Sequence, residues 1–168
     1  SPIYEKLKEQ GACFGSKLGW ERPNWFAPEN IEPRDVYSYG RQNWFLYVGE
    51  EHRAARERVA IFDQSSFAKF RIIGTDAEKA LSRICSNNIA KPTGALTYTQ
   101  LLNTKGGIEC DLTVARLAED EYYLITGTGS RTHDIAWIQS QFLPEENVKL
   151  QDITEELAVF SLMGPLAP

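Results

Sequence analysis

The sequence predicts an α+β fold: a two-layer sandwich with ferredoxin-like connectivity, preceded by an extended aromatic-rich arm. From Phe67 onward, strand-like and helix-like segments follow in the order β-α-β-β-β-α-β. Helices that return to an antiparallel meander indicate a two-layer α+β arrangement. Residues 1–47 have a different texture, with Pro23, Pro28 and Pro33 among several tryptophans and phenylalanines, and these prolines exclude a continuous helix.

The elements at the start of the regular region carry clear signals. EEHRAARERVA is typical of a charged helix, and FAKFRIIG, residues 67–74, combines aromatic and β-branched residues before a closing glycine. Thr75 and Glu78 then have the spacing of a capping box. An apolar stripe at helical spacing follows, and it ends in Cys85 as a small core residue. The stripe is formed by Ala77, Ala80, Leu81, Ile84 and Cys85.

The second half of this region predicts three strands, a helix and a further strand or two. The strands are expected at about residues 97–102, 108–117 and 122–130, separated by turns. RTHDIAWIQSQFL then predicts a helix with Ser130 as its N-cap, and its His133 and Asp134 are expected to be a pair on the helix surface. VKLQDITEELAVFSLMGP predicts one or two more strands around a turn at residues 154–156.

The stretch LLNTKGGIECDLTV, Leu101 to Val114, holds the most informative pattern. Gly106 and Gly107 permit a tight reversal between two strands. After the turn, apolar residues alternate with polar ones, so Cys110 is expected to point into the core and Asp111 away from it. Asp111 then faces either solvent or a covering ligand or domain. Tyr98, on the facing strand, either packs against its neighbours or presents its hydroxyl to the same place. The inward set is Ile108, Cys110, Leu112 and Val114.

Composition excludes several classes of function. The 168 residues carry a net charge of −5 with a pI of about 5.1, which argues against a nucleic-acid or anionic-membrane binder. No apolar run approaches the roughly 18–20 residues that span a bilayer. The first residues, SPIYEKLKEQGA, contain neither an initiator methionine nor a secretory core, so we expect a processed or excised piece of a longer protein.

Common catalytic and metal-binding motifs are absent from the sequence. Cys13, Cys85 and Cys110 have wide, unmatched spacings and are expected to be reduced, and His52 and His133 have no partner at metal-ligand spacing. TGTGS, residues 126–130, precedes a helix but matches neither common phosphate-binding motif. No Ser/His/Asp set is recognisable. We therefore expect no metal site, and no nucleotide site at the glycines.

Three blocks carry a resemblance to a known family: DQSSFAKFRIIGTDA, PTGALTYTQLLNTKGGIECDLTVARL and YYLITGTGSRTHDIAWI. In this order they resemble the folate-binding aminomethyltransferase module of the glycine-cleavage T-protein family, nearest to its dimethylglycine and sarcosine dehydrogenase branch. The prefix FGSKLGWERPNWFAP resembles the segment that joins the flavin half to the folate half in that branch. The resemblance implies that residues 1–48 are a linker or arm and that residues 49–168 begin a folate-binding domain, truncated at its C-terminus.

The resemblance also implies a two-part reaction. An upstream FAD domain, absent from this chain, would oxidise an N-methyl group of a glycine derivative to an iminium. The folate domain would capture the one-carbon unit on tetrahydrofolate as methylenetetrahydrofolate, so the parent would be an oxidative demethylase in bacterial cytoplasm or the mitochondrial matrix. The chain has no dinucleotide GxGxxG, so FAD is not expected on it, and the isolated chain is expected to be inactive.

The family pattern LN-x-x-GG-x-x-x-D assigns the roles of individual residues. Asp111 matches the aspartate of the folate cleft, which would hold the amine, accept its proton and stabilise an iminium. Tyr98 matches the tyrosine before LLN, and Leu96 and Asn103 are weaker candidates for the cleft wall. Many T-proteins have two adjacent acids here, where this chain has Cys110 and Asp111.

Three alternatives stay open. The first is a non-catalytic regulatory subunit of the pyruvate dehydrogenase phosphatase type, which is similar to these dehydrogenases and would share this domain without turnover. A flavin-free aminomethyltransferase is the second alternative. In the third, the fragment only scaffolds the interface between the two halves, and its aromatic arm is the main functional part.

Overall fold

A computed structural model describes all residues from Ser1 to Pro168, and the backbone falls into two compact units. Unit 1 comprises residues 1–66 and 158–168, and unit 2 comprises residues 67–157. The proposed division of the longer protein into an arm, residues 1–48, and a folate domain, residues 49–168, stays a prediction.

Nine strands and four α-helices make up the two units. The strands are β1 (Ala12–Lys17), β2 (Trp20–Phe26), β3 (Ala60–Asp63), β4 (Ala68–Ile73), β5 (Leu96–Leu102), β6 (Ile108–Arg116), β7 (Glu121–Thr126), β8 (Lys149–Asp152) and β9 (Phe160–Met163). The helices are α1 (Tyr4–Glu9), α2 (Phe45–Glu57), α3 (Ala77–Ile84) and α4 (Arg131–Gln141), with a 3₁₀ turn at Thr128–Ser130. None of the helices is both long enough and apolar enough to cross a membrane.

Unit 2 is the predicted α+β sandwich. Its five strands form one antiparallel sheet in the order β5-β6-β7-β4-β8. The β5-β6-β7 meander is continuous, while α3 and α4 lie in the connections that bring β4 beside β7 and β8 beside β4. This is ferredoxin-like connectivity with one additional strand in the meander, which confirms the predicted fold class.

One face of this sheet forms the core of unit 2, and the other face is open. The inward residues of the strands pack against the apolar stripe of α3 and against Ile138 of α4. The stripe is the predicted one, with Ala77, Ala80, Leu81 and Ile84 buried. On the open face, Leu96 and Tyr98 of β5 are 70% and 61% exposed. The sheet therefore separates a hydrophobic layer from a face available to a ligand or another part of the protein.

The predicted capping box at the start of α3 is wrong. The N-cap of α3 is Asp76, and no side chain caps this end, so the capping box does not form. Thr75 instead accepts a hydrogen bond from Asn147 at 3.1 Å, and Glu78 accepts one from Tyr122 at 3.2 Å. At α4, Ser130 occupies the N-cap position, as predicted, without a side-chain capping bond.

The predicted third strand also ends earlier than expected. β7 stops at Thr126, and the glycine-rich residues that follow form the 3₁₀ turn that leads into α4. Local sequence did not distinguish a strand end from a tight turn here, because both tolerate Gly127 and Gly129.

In unit 1 the aromatic-rich segment contains a hairpin. β1 and β2 pair antiparallel, and Trp25 is 1% exposed and stacks on Tyr47 of α2. β3 pairs with β9, so residues distant in the chain close this unit. The prolines of residues 23–33 lie in β2 and in the irregular segment after it, where their lack of an N–H is tolerated.

A single carboxylate fastens the irregular segment to the hairpin. Asp35 accepts a hydrogen bond from the Trp25 indole at 2.8 Å and weaker ones from Cys13 at 3.3 Å and from Asn24 and Tyr37 at 3.4 Å. These donors, the Trp25 indole first, hold the pKa of Asp35 below its ordinary value. A lowered pKa means that the stabilising contribution is present above the unfolded pKa and is lost as pH falls through the folded value.

We predict that Asp35→Ala lowers the free energy of unfolding by about 1–3 kcal/mol, because the indole N–H of buried Trp25 loses its acceptor. Asp35→Asn keeps an acceptor and should lose less. Denaturant unfolding followed by tryptophan fluorescence at neutral pH measures both. If both variants unfold at the same denaturant concentration as the wild type, the Asp35 carboxylate does not hold the irregular segment against the hairpin.

We also predict that Gly74→Ala destabilises the chain more than Gly94→Ala. Both glycines have positive φ, +138° and +89°, so both variants carry backbone strain of about 1–2 kcal/mol. A Cβ at Gly74 would also lie 2.0 Å from the carbonyl oxygen of Asn147, whereas a Cβ at Gly94 would meet no atom within 4 Å. Urea unfolding midpoints test this, and equal midpoints for the two variants would contradict it.

Candidate functional site

The turn between β5 and β6 sets the register that places Tyr98 and Gln100 near Asp111. Asn103 and Gly106 close the turn with a 2.9 Å backbone hydrogen bond, and Gly106 adopts φ +79°. The Asn103 side chain accepts further bonds from the backbone N–H groups of Lys105 and Gly107, each at 2.9 Å. This is the tight reversal predicted from the glycine pair, and Gly106 is the residue that needs the left-handed backbone.

The strand after the turn places Cys110 and Asp111 on opposite faces, as the alternation predicts. Cys110 pairs with Leu101 and is 2% exposed, while Asp111 pairs with Gln100 and is exposed on the open face. Ile108, which was expected to point inward, is 66% exposed. The register shifts at this point, leaving Glu109 as a bulge residue without a partner on β5, so the alternation does not extend back to Ile108.

Two side chains of β5 hold the Asp111 carboxylate. The Gln100 amide donates a hydrogen bond to Asp111 Oδ1 at 3.0 Å, directly across the strand pair. Tyr98, diagonal to it, donates its hydroxyl hydrogen. That bond, with the nearby negative charge, raises the pKa of Tyr98 above its ordinary value of 10.0. Both contacts are the cross-strand neighbours that an antiparallel pair brings within reach.

Asp111 and Tyr98 line an open cleft of about 480 Å³. Its walls are β6, the adjoining edge of β5 and the end of β7 with the turn that follows. The lining residues beyond Asp111 and Tyr98 are Phe67, Ile108, Glu109, Leu112, Thr113, Ile125, Thr126, Gly127 and Ser130. The structure thus brings two of the four predicted site residues together in one cleft.

The other two predicted site residues lie outside the cleft lining. Leu96 is on the same open face at the far end of β5, paired with Ala115. Asn103 is in the turn, and its amide donates to Glu109 Oε1 at 2.8 Å, so its polar atoms are used within the hairpin. A role for either residue in binding folate stays a prediction.

Sequence reasoning missed Gln100 and Glu109. Gln100 has the same parity as Tyr98, so the strand register would have indicated it as a neighbour of Asp111. Glu109 shows no comparable signal, because its direction depends on the bulge.

The expectation of a surface pair on α4 is wrong. Asp134 is 1% exposed and accepts hydrogen bonds from the Thr126 hydroxyl at 2.6 Å and from the His133 ring at 3.0 Å. β7 ends at Thr126, opposite Leu112 of β6, and the first turn of α4 lies against the part of β6 that continues beyond it. Asp134 is consequently buried between these elements, which no local pattern indicates.

The same packing brings three potential metal ligands together. The donor atoms of Cys110, His133 and Asp134 lie within 4.8 Å of one another, so the expectation that His133 has no such partner is wrong. Burial and the neighbouring Asp134 carboxylate raise the pKa of the Cys110 thiol. A protonated thiol is a hydrogen-bond donor to Asp134, whereas a metal requires the thiolate. The donor set therefore fits a hydrogen-bonded network.

Comparison with known proteins places this fold and hairpin in a family. The family described as the GCVT N-terminal domain matches residues 3–168. The chain belongs to this family.

Curated relatives of this GCVT N-terminal domain are much longer proteins. The chain is 39% identical over 165 residues to 4-methylaminobutanoate oxidase (formaldehyde-forming) of Paenarthrobacter nicotinovorans, covering 98% of the chain and 20% of the oxidase. It is 36% identical to human mitochondrial dimethylglycine dehydrogenase, over 99% of the chain and 19% of the enzyme. It is 33% identical to the mouse mitochondrial pyruvate dehydrogenase phosphatase regulatory subunit, over 99% and 20%. The chain spans about a fifth of the length of these relatives.

A solved structure supports the same assignment. The glycine cleavage system aminomethyltransferase T of Bartonella henselae matches 98% of the chain and 40% of its own length, with a TM-score of 0.75 and 26% identity. The chain is thus an aminomethyltransferase-like module, related both to N-methylglycine dehydrogenases and to a regulatory subunit, as the resemblance predicted.

For the carboxylate of this GCVT domain, we predict that Asp111→Asn lowers the pKa of Tyr98 towards its ordinary value. The amide removes the charge that opposes the phenolate and is a poorer acceptor for the phenol. NMR titration of tyrosine ring carbons measures the change. Asp120→Asn, an exposed acid in the turn before β7, is the matched control and should leave Tyr98 unchanged. An unaltered Tyr98 titration in Asp111→Asn would refute the contact.

Proposed function

We propose that this chain forms part of a tetrahydrofolate-binding cleft in a longer oxidative demethylase. That protein acts on an N-methylated glycine derivative of the dimethylglycine or sarcosine type. Asp111 is its catalytic carboxylate, and Tyr98 lines the folate site beside it. The one-carbon unit leaves as methylenetetrahydrofolate. The observation that carries the proposal is the Asp111 carboxylate, held by Gln100 and Tyr98 on the wall of an open cleft.

The chemistry of this carboxylate fits the reaction. A folate amine that attacks an iminium carbon becomes positively charged and must lose a proton. An ionised carboxylate can orient the amine, stabilise the cation and accept that proton. Gln100 and Tyr98 both donate to the carboxylate, and donors of this kind fix its direction while leaving acceptor positions for a ligand. Their placement on regular strands keeps the group rigid.

The exposure of Asp111 indicates that other parts of the protein complete the site. Charge interactions are weak when water surrounds them and strengthen as water is excluded. The chain spans about a fifth of its curated relatives, so their remaining length is ample to cover this face. We propose that such segments close the cleft, and that Leu96 and Asn103 belong to its outer wall.

The oxidising step belongs, in this proposal, to a separate upstream domain that binds FAD. Residues 1–168 contain no dinucleotide fingerprint, and the cleft residues offer carboxylates and hydroxyls, which suit an amine and not a hydride acceptor. We place the protein in bacterial cytoplasm or the mitochondrial matrix, because its relatives include a bacterial oxidase and a mitochondrial dehydrogenase.

The test uses the full-length protein with its flavin, an N-methylated glycine and tetrahydrofolate. We expect Asp111→Ala to lower the rate of methylenetetrahydrofolate formation by about 100-fold or more, the usual contribution of a positioned general base. Flavin reduction by the amine should continue, because the oxidising domain is unchanged. Asp120→Asn is the control for removing an exposed carboxylate. Unchanged folate affinity and product yield in Asp111→Ala would refute the assignment.

A second candidate function is regulatory. The similarity to the phosphatase regulatory subunit is nearly as high as that to the dehydrogenases. A full-length protein that binds tetrahydrofolate but neither reduces flavin nor forms methylenetetrahydrofolate would favour this candidate. A protein that forms the product without flavin would favour a flavin-free aminomethyltransferase.

A further inference from the structure

Beside Asp111, a chain of four side chains spans the edge of the cleft. Asn103 donates to Glu109 Oε1 at 2.8 Å, and the other oxygen of Glu109 lies 3.3 Å from His133 Nε2. The second ring nitrogen, Nδ1, lies 3.0 Å from Asp134 Oδ1. We call these residues, Asn103, Glu109, His133 and Asp134, the histidine bridge.

The geometry of the histidine bridge favours a charged imidazole. Each ring nitrogen of His133 faces a carboxylate oxygen, and a neutral imidazole carries only one N–H. Only the imidazolium forms ion pairs with both Glu109 and Asp134. Asp134 is a rigid anchor, because it is buried and also accepts the Thr126 hydroxyl at 2.6 Å.

The histidine bridge joins two walls that the sheet does not connect. β7 stops opposite Leu112, so Glu109 has no partner on β7, and as the bulge residue it has none on β5. The chain after β7 supplies Gly127 and Ser130 to the cleft, and β6 supplies Glu109 and Asp111. His133, three residues after Ser130, is the link between these two segments.

The charged groups around the His133 imidazole affect the electrostatics of the cleft. The charged groups that face His133 are Glu109 from β6 and Asp134 from α4, and the Cys110 thiol beside Asp134 is neutral. Asp134 first, and then Glu109, raise the pKa of His133. The imidazolium contacts both Glu109 and Asp134, whereas Asp111 forms no ion pair with a cationic side chain.

We propose that His133 is a positioning residue that acts through Glu109. As an imidazolium it fixes the start of β6 against the N-terminal turn of α4, and it thereby holds the wall of the cleft in its ligand-binding shape. This inference rests on the proposed function for the identity of the ligand, tetrahydrofolate. The raised pKa sets the sign of its pH dependence: the bridge is complete below the ordinary histidine pKa and is lost as pH rises through the raised value.

The first measurement is the affinity of the full-length protein for tetrahydrofolate at about pH 6 and about pH 8.5, on either side of the histidine titration. We expect the wild type to bind about three- to fivefold more tightly at the lower pH, the effect of a partly exposed ion pair. In His133→Gln and Glu109→Gln this ratio should be lost, apart from any change that the ligand's own ionisation causes. Changes in the ligand's own ionisation are common to all variants and cancel in the comparison. His52→Gln, on α2, is the matched control and should keep the wild-type ratio.

The second measurement does not depend on folate. Hydrogen exchange of residues 108–111 and 127–134 is compared between wild type and His133→Gln at the same pH, which cancels the intrinsic exchange rates. We expect faster exchange in His133→Gln than in the wild type at about pH 6, and equal exchange in the two proteins at about pH 8.5.

The outcomes separate the two proposals. If tetrahydrofolate binds with the same pH ratio in wild type and His133→Gln, or if the variant loses the same factor at both pH values, the positioning role is overturned and the folate site stands. If no protein binds tetrahydrofolate while the exchange difference is present, the proposed function fails and the bridge across the wall is supported. Identical exchange in wild type and variant at both pH values overturns the bridge.

Discussion

The alternation of β6 from Cys110 to Val114 is the constraint on which the site depends. Because successive side chains of a strand point to opposite faces, burying Cys110, Leu112 and Val114 obliges Asp111 to face away from the core. The turn at Asn103 and Gly106 sets the register that places Gln100 opposite Asp111. A slip of one residue would bury the carboxylate and expose the thiol, so the core itself enforces the position of the functional group.

The early end of β7 gives the cleft its second wall. β6 continues past the end of β7, and the 3₁₀ turn and the first turn of α4 lie beside this part of β6. Asp134 is buried there without cationic side chains of Lys or Arg, and hydroxyl, thiol and imidazole donors satisfy it. A buried carboxylate with this many donors is a rigid anchor, since each lost bond would leave a buried charge unsatisfied.

The open face of the sheet leaves the candidate site exposed. Tyr98, Ile108 and Asp111 are exposed, and the cleft is shallow. The chain supplies a carboxylate of fixed direction in a cleft that both polar and apolar side chains line. Exclusion of water requires additional protein, in keeping with relatives five times as long. Enzymes and a regulatory subunit share the fold of this module, so the fold alone does not specify the activity of any one of them.

By itself, the sequence determined what depends on short-range periodicity. The strand at residues 68–73, the stripe of α3, the hairpin turn, and the opposite directions of Cys110 and Asp111 all follow from spacings of two or about 3.6 residues. The tertiary structure alone decided what depends on elements meeting across long separations: the burial of Asp134, the link from His133 to Glu109 and the outward position of Ile108. Local patterns carry no information about where a neighbouring strand stops or a bulge occurs, because packing between distant segments sets both.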